Sequence, residues 1–426
     1  MSASPMEGFK ETTSLRIALT KFLDSVQVNL DTEHINIENS LKRVLAEDIS
    51  AEYNIPQFNR AAMDGYAIKA EDSRGASFEN PIRFKIVGRL EAGFFQNFKI
   101  KSFEAVEIMT GARVPDQADC VIMAEYTKRI SEDIVEIYQQ LPPGANIDQV
   151  GSDVKKGETI LTKGTIIEPP DIGLLKALRL RTVKVYKKPK VGLISTGDEL
   201  TDYIELDNGE SKIIETNQIM LSNYILEDGG EPLKYGIIRD NFDDIKKSIS
   251  KAVSECNIIL LTGGSSVGKK DLVPKIIREI GIILTHGVSM KPGKPTGLAL
   301  VQGKPLIIMP GYSVACIIAY LVFCRPLIYK FLSINPELTP ISVNAYLTNR
   351  VPSTAGRTDF VRVNVFKHGE ELYATPIRST GSGILSSMVK ANGLLEIPDE
   401  IEGYEEGDKV SVKLLRRQIP EKDINE

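Results

Sequence analysis

Three short stretches each place glycine directly after an apolar run: Ser195-Thr-Gly-Asp-Glu-Leu, Thr262-Gly-Gly-Ser-Ser-Val-Gly and Met309-Pro-Gly-Tyr-Ser. Glycine lets backbone amides approach an anion, and the N-terminus of a following helix adds positive potential. A single loop of this kind is also what any tight turn looks like. Three in register along one sheet edge point to a phosphorylated ligand held by Gly197, Asp198, Gly263, Gly264, Ser266, Pro310 and Gly311.

Acidic residues accompany the loops, namely Asp198, Glu199 and Asp271. They would repel an anion unless a cation intervened, and magnesium, or another divalent metal that prefers oxygen ligands and phosphate bridges, resolves that conflict. Carboxylates also suit the first turn of a helix, so Asp198 fits capping equally well. Glu199 and Asp271 are read as metal ligands. Lys291-Pro-Gly-Lys294-Pro sets two ammonium groups three residues apart in a proline-braced turn. Proline lowers the entropy lost in fixing them, and the pair suits a phosphate or an oxyanion such as molybdate; a solvated turn is the plain alternative. Gly263-x-x-x-x-Gly268-Lys269 is an incomplete P-loop, because Lys270 stands where magnesium binding needs a hydroxyl. Met63-Asp64-Gly65-Tyr66 and Thr110-Gly-Ala-Arg-Val-Pro read alone as turns.

The elements that must position these residues alternate from Pro189 onward. Strand-like Val191–Thr196, Leu233–Ile238, Asn257–Thr262, Ile282–Thr285 and Leu306–Met309 are separated by helices at 217–227, 242–253, 272–280 and 313–323, the last ending at Arg325-Pro326. Continuous apolar strands alternating with helices predict a parallel sheet covered on both faces, with ligands at the strands' carboxyl ends. Upstream, residues 10–50 read as helical, on Leu15, Ala18, Phe22 and Val26 and on a second amphipathic run from Ile37 to Leu45. Residues 56–144 are strand-like and rich in turn residues, and residues from 334 alternate in strand fashion, which fits a small β barrel or sandwich. The division expected is 1–55 plus 145–188, 56–144 as an insertion, 189–333, and 334–426.

With 52 basic and 57 acidic residues interleaved over 426, no basic block suggests nucleic acid as a partner. The four cysteines form no C-x-x-C pair and the three histidines give no zinc spacing, so buried thiols in a cytosolic protein are expected. The N-terminus lacks a signal-peptide pattern, and the longest apolar run, Val314–Cys324, falls well short of the ~20 residues that span a bilayer. A soluble, cytoplasmic protein with no membrane partner is the expectation.

Taken in order, Met63-Asp-Gly-Tyr-Ala, Met109-Thr-Gly-Ala-x-x-Pro, Ser195-Thr-Gly-Asp-Glu-Leu, Thr262-Gly-Gly-x-Ser-Val-Gly-x-x-Asp271, Lys291-Pro-Gly-Lys-Pro, Pro310-Gly and Gly381-Ser-Gly resemble the MoeA family, the molybdopterin molybdenumtransferases related to the gephyrin E domain. The resemblance spans nearly the whole chain. It implies an elongated linker domain, an inserted β domain, a molybdopterin-binding α/β domain and a C-terminal β barrel. It implies a homodimer whose cleft combines the α/β domain of one subunit with the insertion of the other. The implied reaction joins adenylylated molybdopterin, handed over by a molybdopterin adenylyltransferase, with molybdate to give molybdenum cofactor, AMP and water, assisted by a divalent metal. Asp64 and Thr110 would reach the cleft from the insertion, supported by Asp153. Glu199 and Asp271 would act on the metal or the phosphoanhydride, Lys291 and Lys294 would hold phosphate or molybdate, and Ser382 would contact substrate. Two positions depart from the pattern: Asn257 replaces an aspartate, and Tyr312-Ser313 replaces Asn-Pro. A tungstate-handling paralogue and a catalytically weak molybdopterin-binding scaffold remain the alternatives.

Overall fold

The computed structural model describes residues 12–94, 96–203, 212–263, 272–335, 341–377, 381 and 383–422. By internal contacts the chain forms two compact units, one of Met1–Glu33, Lys42–Val44 and Val185–Glu426, the other of His34–Leu41 and Leu45–Lys184.

The first unit opens with α1 (Leu15–Ser25), whose Leu15, Ala18 and Phe22 are buried along one stripe. The helix expected over Ile37–Leu45 does not form. Residues Ile37–Asn39 make one 3-10 turn, and Lys42 sits at φ 61°, which an α helix cannot hold. The Leu45 amide instead donates to the Thr165 carbonyl at 3.0 Å, so burial of Ile37 and Leu45 comes from a folded loop. Beyond it lies a six-stranded sheet of β1 (Gly65–Ile68), β2 (Ile82–Leu90), β3 (Glu104–Ile108), β4 (Cys120–Met123), β5 (Thr127–Arg129) and β6 (Ile134–Ile137), in the order β4-β1-β3-β2-β6-β5. Gly65 is required in β1 because a Cβ there would overlap the Ile122 carbonyl. Helix α2 (Pro169–Ala177) starts with prolines in its first turn and a Glu168–Asp171 capping box.

The first unit continues with the α/β sheet. Its elements are β7 (Lys190–Thr196), α3 (Asn217–Glu227), β8 (Glu231–Ile238), α4 (Phe242–Glu255), β9 (Ile258–Thr262), α5 (Val273–Ile280), β10 (Gly281–His286), β11 (Val288–Lys291), β12 (Gly297–Val301), β13 (Lys304–Met309) and α6 (Ser313–Ala319). Sheet order is β8-β7-β9-β13-β12-β10; β8, β7, β9 and β13 run parallel, whereas β12 is antiparallel to both β13 and β10. The parallel core expected from the apolar runs is therefore extended by an antiparallel edge. Helix α4 shows why the pattern was readable: Asn241 accepts from the Asp243 and Asp244 amides, and Ile245, Ile249, Ala252 and Val253 pack on Ile259, Leu261 and Ile308.

The helix expected to stop at Arg325-Pro326 runs on. A π turn (Tyr320–Cys324) follows α6 and leads into α7 (Arg325–Leu332) with Pro326 in its first turn. The widened turn relieves the clash that proline makes with the carbonyl four residues back. The resulting 20-residue helical segment is long and apolar enough to cross a membrane, yet 72% of an 18-residue apolar stretch within it is buried in the fold, as in a core helix. It is clamped by Asp228, whose carboxylate accepts from the Tyr320 hydroxyl (2.6 Å), the Tyr329 hydroxyl (3.2 Å) and Arg325 Nε (2.9 Å). The Asp228 and Arg325 side chains are 4% and 18% exposed. Asp228→Ala removes the counter-charge of the largely buried Arg325 and the acceptor of the Tyr320 bond, and is expected to cost about 3–5 kcal/mol. Urea denaturation followed by circular dichroism checks this, and an unchanged midpoint would show that the cluster is not holding the helix.

Five strands close the C-terminal barrel: β14 (Ser342–Leu347), β15 (Thr358–His368), β16 (Glu371–Pro376), β17 (Gly393–Ile397) and β18 (Lys409–Leu414) pair as β15-β16-β14-β18-β17, and β17 pairs back to β15. Strand β11 adds to β15, with Lys291 beside Asp359. The protein is thus an α/β multidomain chain with a β-rich unit and a small closed barrel.

Candidate functional site

Strands β7, β9 and β13 finish level, with Ser195 opposite Thr262 and Thr262 opposite Met309. Their loops leave the sheet at one edge, as expected for a ligand site on parallel strands. The Gly197 amide donates to the Ile238 carbonyl and the Gly263 amide to the Met309 carbonyl, each at 3.2 Å. Gly263 sits at φ +90° against the Thr196 carbonyl, where any side chain would collide.

Beneath this edge lies a polar layer invisible in the motifs. The Ser195 hydroxyl meets Thr262 Oγ1 at 2.8 Å and donates to Glu215 at 3.1 Å, while Gln218 Nε2 donates to Ser195 at 3.0 Å. Glu215 also accepts from the Asn217 and Gln218 amides at 3.0 Å. The positive end of α3 is therefore already satisfied by the protein's own carboxylate, so the first loop does not offer a helix terminus to the anion as its sequence suggested. A signal existed: Glu215-Thr-Asn immediately precedes the apolar period of α3.

A cleft of about 740 Å³ opens above this layer, lined by Glu199, Thr262, Gly263, Lys294, Pro310, Gly311 and Tyr312 among others. Beside it a second cleft of about 420 Å³ is lined by Lys291, Lys294, Arg357, Asp359, Arg362 and Gly381. Both clefts share Lys294, Pro295, Pro310 and Tyr312 as a common wall. The lysine turn is held by buried Thr296, whose amide and hydroxyl both donate to the Gly293 carbonyl (3.0 and 2.7 Å). The two arginines were not legible as site residues, since barrel strand β15 and the segment leading into it bring them to the lysines. Arg357 grips Asp359 with two bonds of 2.6 and 3.0 Å. Burial lowers the pKa of the Arg362 guanidinium from its ordinary value, and an anion alongside would offset that loss of hydration.

Of the residues singled out in the sequence, Glu199, Gly263, Lys294, Pro310 and Gly311 meet in the larger cleft, and Lys291 joins Lys294 in the smaller. Asp198 lines neither: its carboxylate accepts from the Asp240 amide at 3.3 Å, and its carbonyl accepts from Lys212 at 2.8 Å. Asn257 lies at the opposite end of β9 from the clefts, accepting from the Lys190 amide at 2.8 Å. Gly264, Ser266, Asp271 and Ser382 lie outside the described residues.

In the other unit, Asp64 and Thr110 come together. The Thr110 amide and hydroxyl each donate to Asp64 Oδ1 at 2.7 Å, and these bonds lower the pKa of the carboxyl below its ordinary 3.8. Asp153 is exposed on a turn, its amide donating to the Ile55 carbonyl at 3.0 Å; among the described residues it bonds to neither of them.

No three His, Cys, Asp or Glu side chains cluster as a metal cage among the described residues. Magnesium needs only one or two protein carboxylates where phosphate and water complete its shell, so the Glu199 carboxylate in the larger cleft fits such a site.

Known proteins resemble this chain along nearly its whole length. Family models match as "MoeA N-terminal region (domain I and II)" over residues 13–178, "Probable molybdopterin binding domain" over 192–330 and "MoeA C-terminal region (domain IV)" over 344–415. The molybdopterin molybdenumtransferase of Bacillus subtilis is 35% identical, covering 91% of each chain. That of Haemophilus influenzae is 30% identical, covering 93% of this chain and 97% of its own. The crystal structure of the molybdopterin biosynthesis moeA protein from Pyrococcus horikoshii OT3 superposes with a TM-score of 0.83 at 38% identity, over 95% of this chain and 100% of that one. On matches to all three segments and to relatives along nearly its full length, the chain belongs to the MoeA family.

Proposed function

We propose that this protein is a molybdopterin molybdenumtransferase of molybdenum cofactor biosynthesis, converting adenylylated molybdopterin and molybdate to molybdenum cofactor, AMP and water. The observation that carries the reading is the shared wall of the two clefts: a cationic recess at Lys291, Lys294, Arg357 and Arg362 adjoins a larger recess holding Glu199 and Gly263. A tetrahedral oxyanion suits the first and a phosphorylated heterocycle the second, so both reactants would lie side by side.

The chain's own residues do little covalent work in this scheme. Lys291 and Lys294 hold molybdate and neutralise charge as the phosphoanhydride breaks, and the Gly263 loop positions the phosphates. Magnesium, held by Glu199 and Asp271, would supply charge neutralisation at the departing AMP. The protein acts as a soluble cytoplasmic homodimer, the insertion of one subunit bringing Asp64 and Thr110, with Asp153 behind them, to the cleft of the other. The linker, insertion, α/β and barrel domains are divided as the sequence suggests, and a molybdopterin adenylyltransferase hands over the substrate.

Purified protein given adenylylated molybdopterin, molybdate and magnesium is expected to release AMP in a molybdate-dependent manner. Tight binding without AMP above background would reject the enzyme and favour a scaffold. AMP incorporation from ATP would point to the upstream adenylyltransferase instead. Tungstate outperforming molybdate in the same assay would change the metal.

A further inference from the structure

We infer that Tyr312 is a stacking platform on which the substrate lays a flat heteroaromatic ring, pterin or adenine; the inference rests on the reading of the larger cleft proposed above. Tyr312 is 67% exposed, yet it does not stand on open surface: its ring lines both clefts and forms part of the wall between them. One side rests on Gly383, where an added Cβ would stand 3.0 Å from Cδ1 and 3.3 Å from Cε1. Glycine there leaves room for the ring without displacing it.

The backbone under the ring is held from two directions. Asn217 Nδ2 donates to the Gly311 carbonyl at 2.8 Å, and the Tyr312 carbonyl accepts from the Cys316 amide at 2.9 Å as the helix begins. Asn217 is itself buried. An aromatic ring on a fixed backbone loses little freedom when a ligand covers it. The larger cleft is also lined by Ile213 and Ile214, 58% and 48% exposed, so apolar surface from separate segments faces one space. Exposed apolar side chains gathered inside a concave site, next to a cationic recess, suit a ligand with a flat apolar face and an anionic tail. A phosphorylated pterin and an adenylate both have that form.

The chain contains no tryptophan, so Tyr312→Trp adds a single indole reporter at this place. Quenching of its emission by AMP would put adenine on the ring; quenching by molybdopterin but not by AMP would put the pterin there. Tyr312→Ala is expected to weaken binding of adenylylated molybdopterin about 10- to 100-fold, as removal of a stacking partner does, raising KM more than it lowers kcat. Tyr312→Phe should restore wild-type binding because it keeps the ring. Absence of quenching by either ligand, alanine binding as well as tyrosine, or phenylalanine failing to rescue would overturn stacking, the last by assigning the effect to the hydroxyl. These results would leave the proposed function standing if wild-type protein still binds adenylylated molybdopterin. Failure of the wild type to bind it would remove both readings.

Discussion

Glu199→Ala is expected to lower the rate of AMP release about 100- to 1,000-fold while leaving the fold intact, the scale seen when one preorganised electrostatic group is removed from a reacting centre. The side chain is exposed in the larger cleft, and the bond made by this residue in the loop is backbone: its carbonyl accepts from the Ile213 amide at 2.8 Å. Alanine keeps that bond. Glu199→Gln should fall almost as far, because charge and not bulk is what a divalent cation needs. Single-turnover AMP release over a magnesium titration separates the possibilities. A requirement for more magnesium, with activity partly recovered at saturation, identifies a ligand; undiminished turnover at low magnesium would remove Glu199 from the reaction.

The second large effect belongs to Asp64. Asp64→Ala should abolish most turnover, and so should Glu199→Ala, but mixtures of the two inactive proteins should regain activity if the insertion serves the other subunit's cleft. After random exchange half the dimers are mixed and each carries one intact cleft of two, so about one quarter of wild-type activity returns. No recovery after demonstrated exchange would place both residues in one subunit's site or outside the site altogether. The charge state of Asp64 is part of this prediction. Bonds from the Thr110 amide and hydroxyl lower its pKa below 3.8, so the carboxylate is the form present at neutral and mildly acid pH. The sign follows: the stabilisation is complete above the unfolded value and is lost as pH falls through the lower folded one. Thr110→Val removes the hydroxyl donor, and carboxyl titration by carbon NMR should then show the midpoint moving up toward the ordinary value.

Much of the α/β unit was legible because its strands are near-continuous apolar runs and its helices carry clean amphipathic stripes, as Ile258–Thr262 and Phe242–Glu255 illustrate. Where local pattern misled, a competing physical term won. Arg325-Pro326 looks like a stop, but one π turn accommodates the ring and the helix continues to Leu332. Ile37–Leu45 has helical spacing, but Lys42 takes a left-handed conformation and the apolar residues are buried by a loop. The strand Gly297–Val301, paired between β13 and β10, went unread because it reverses direction within an otherwise parallel alternation.

The order of glycine loops, acidic residues and paired lysines, and the family they belong to, was determined by the sequence alone, since those features depend on residue type and spacing. Only the tertiary structure decided that Glu215 occupies the positive end of α3, that Asp198 turns away, and that Arg357 and Arg362 stand beside Lys291 and Lys294. Such contacts join segments more than fifty residues apart or depend on which way one side chain turns. No periodicity records them, because they are set by how strands stack and which backbone groups still need a partner.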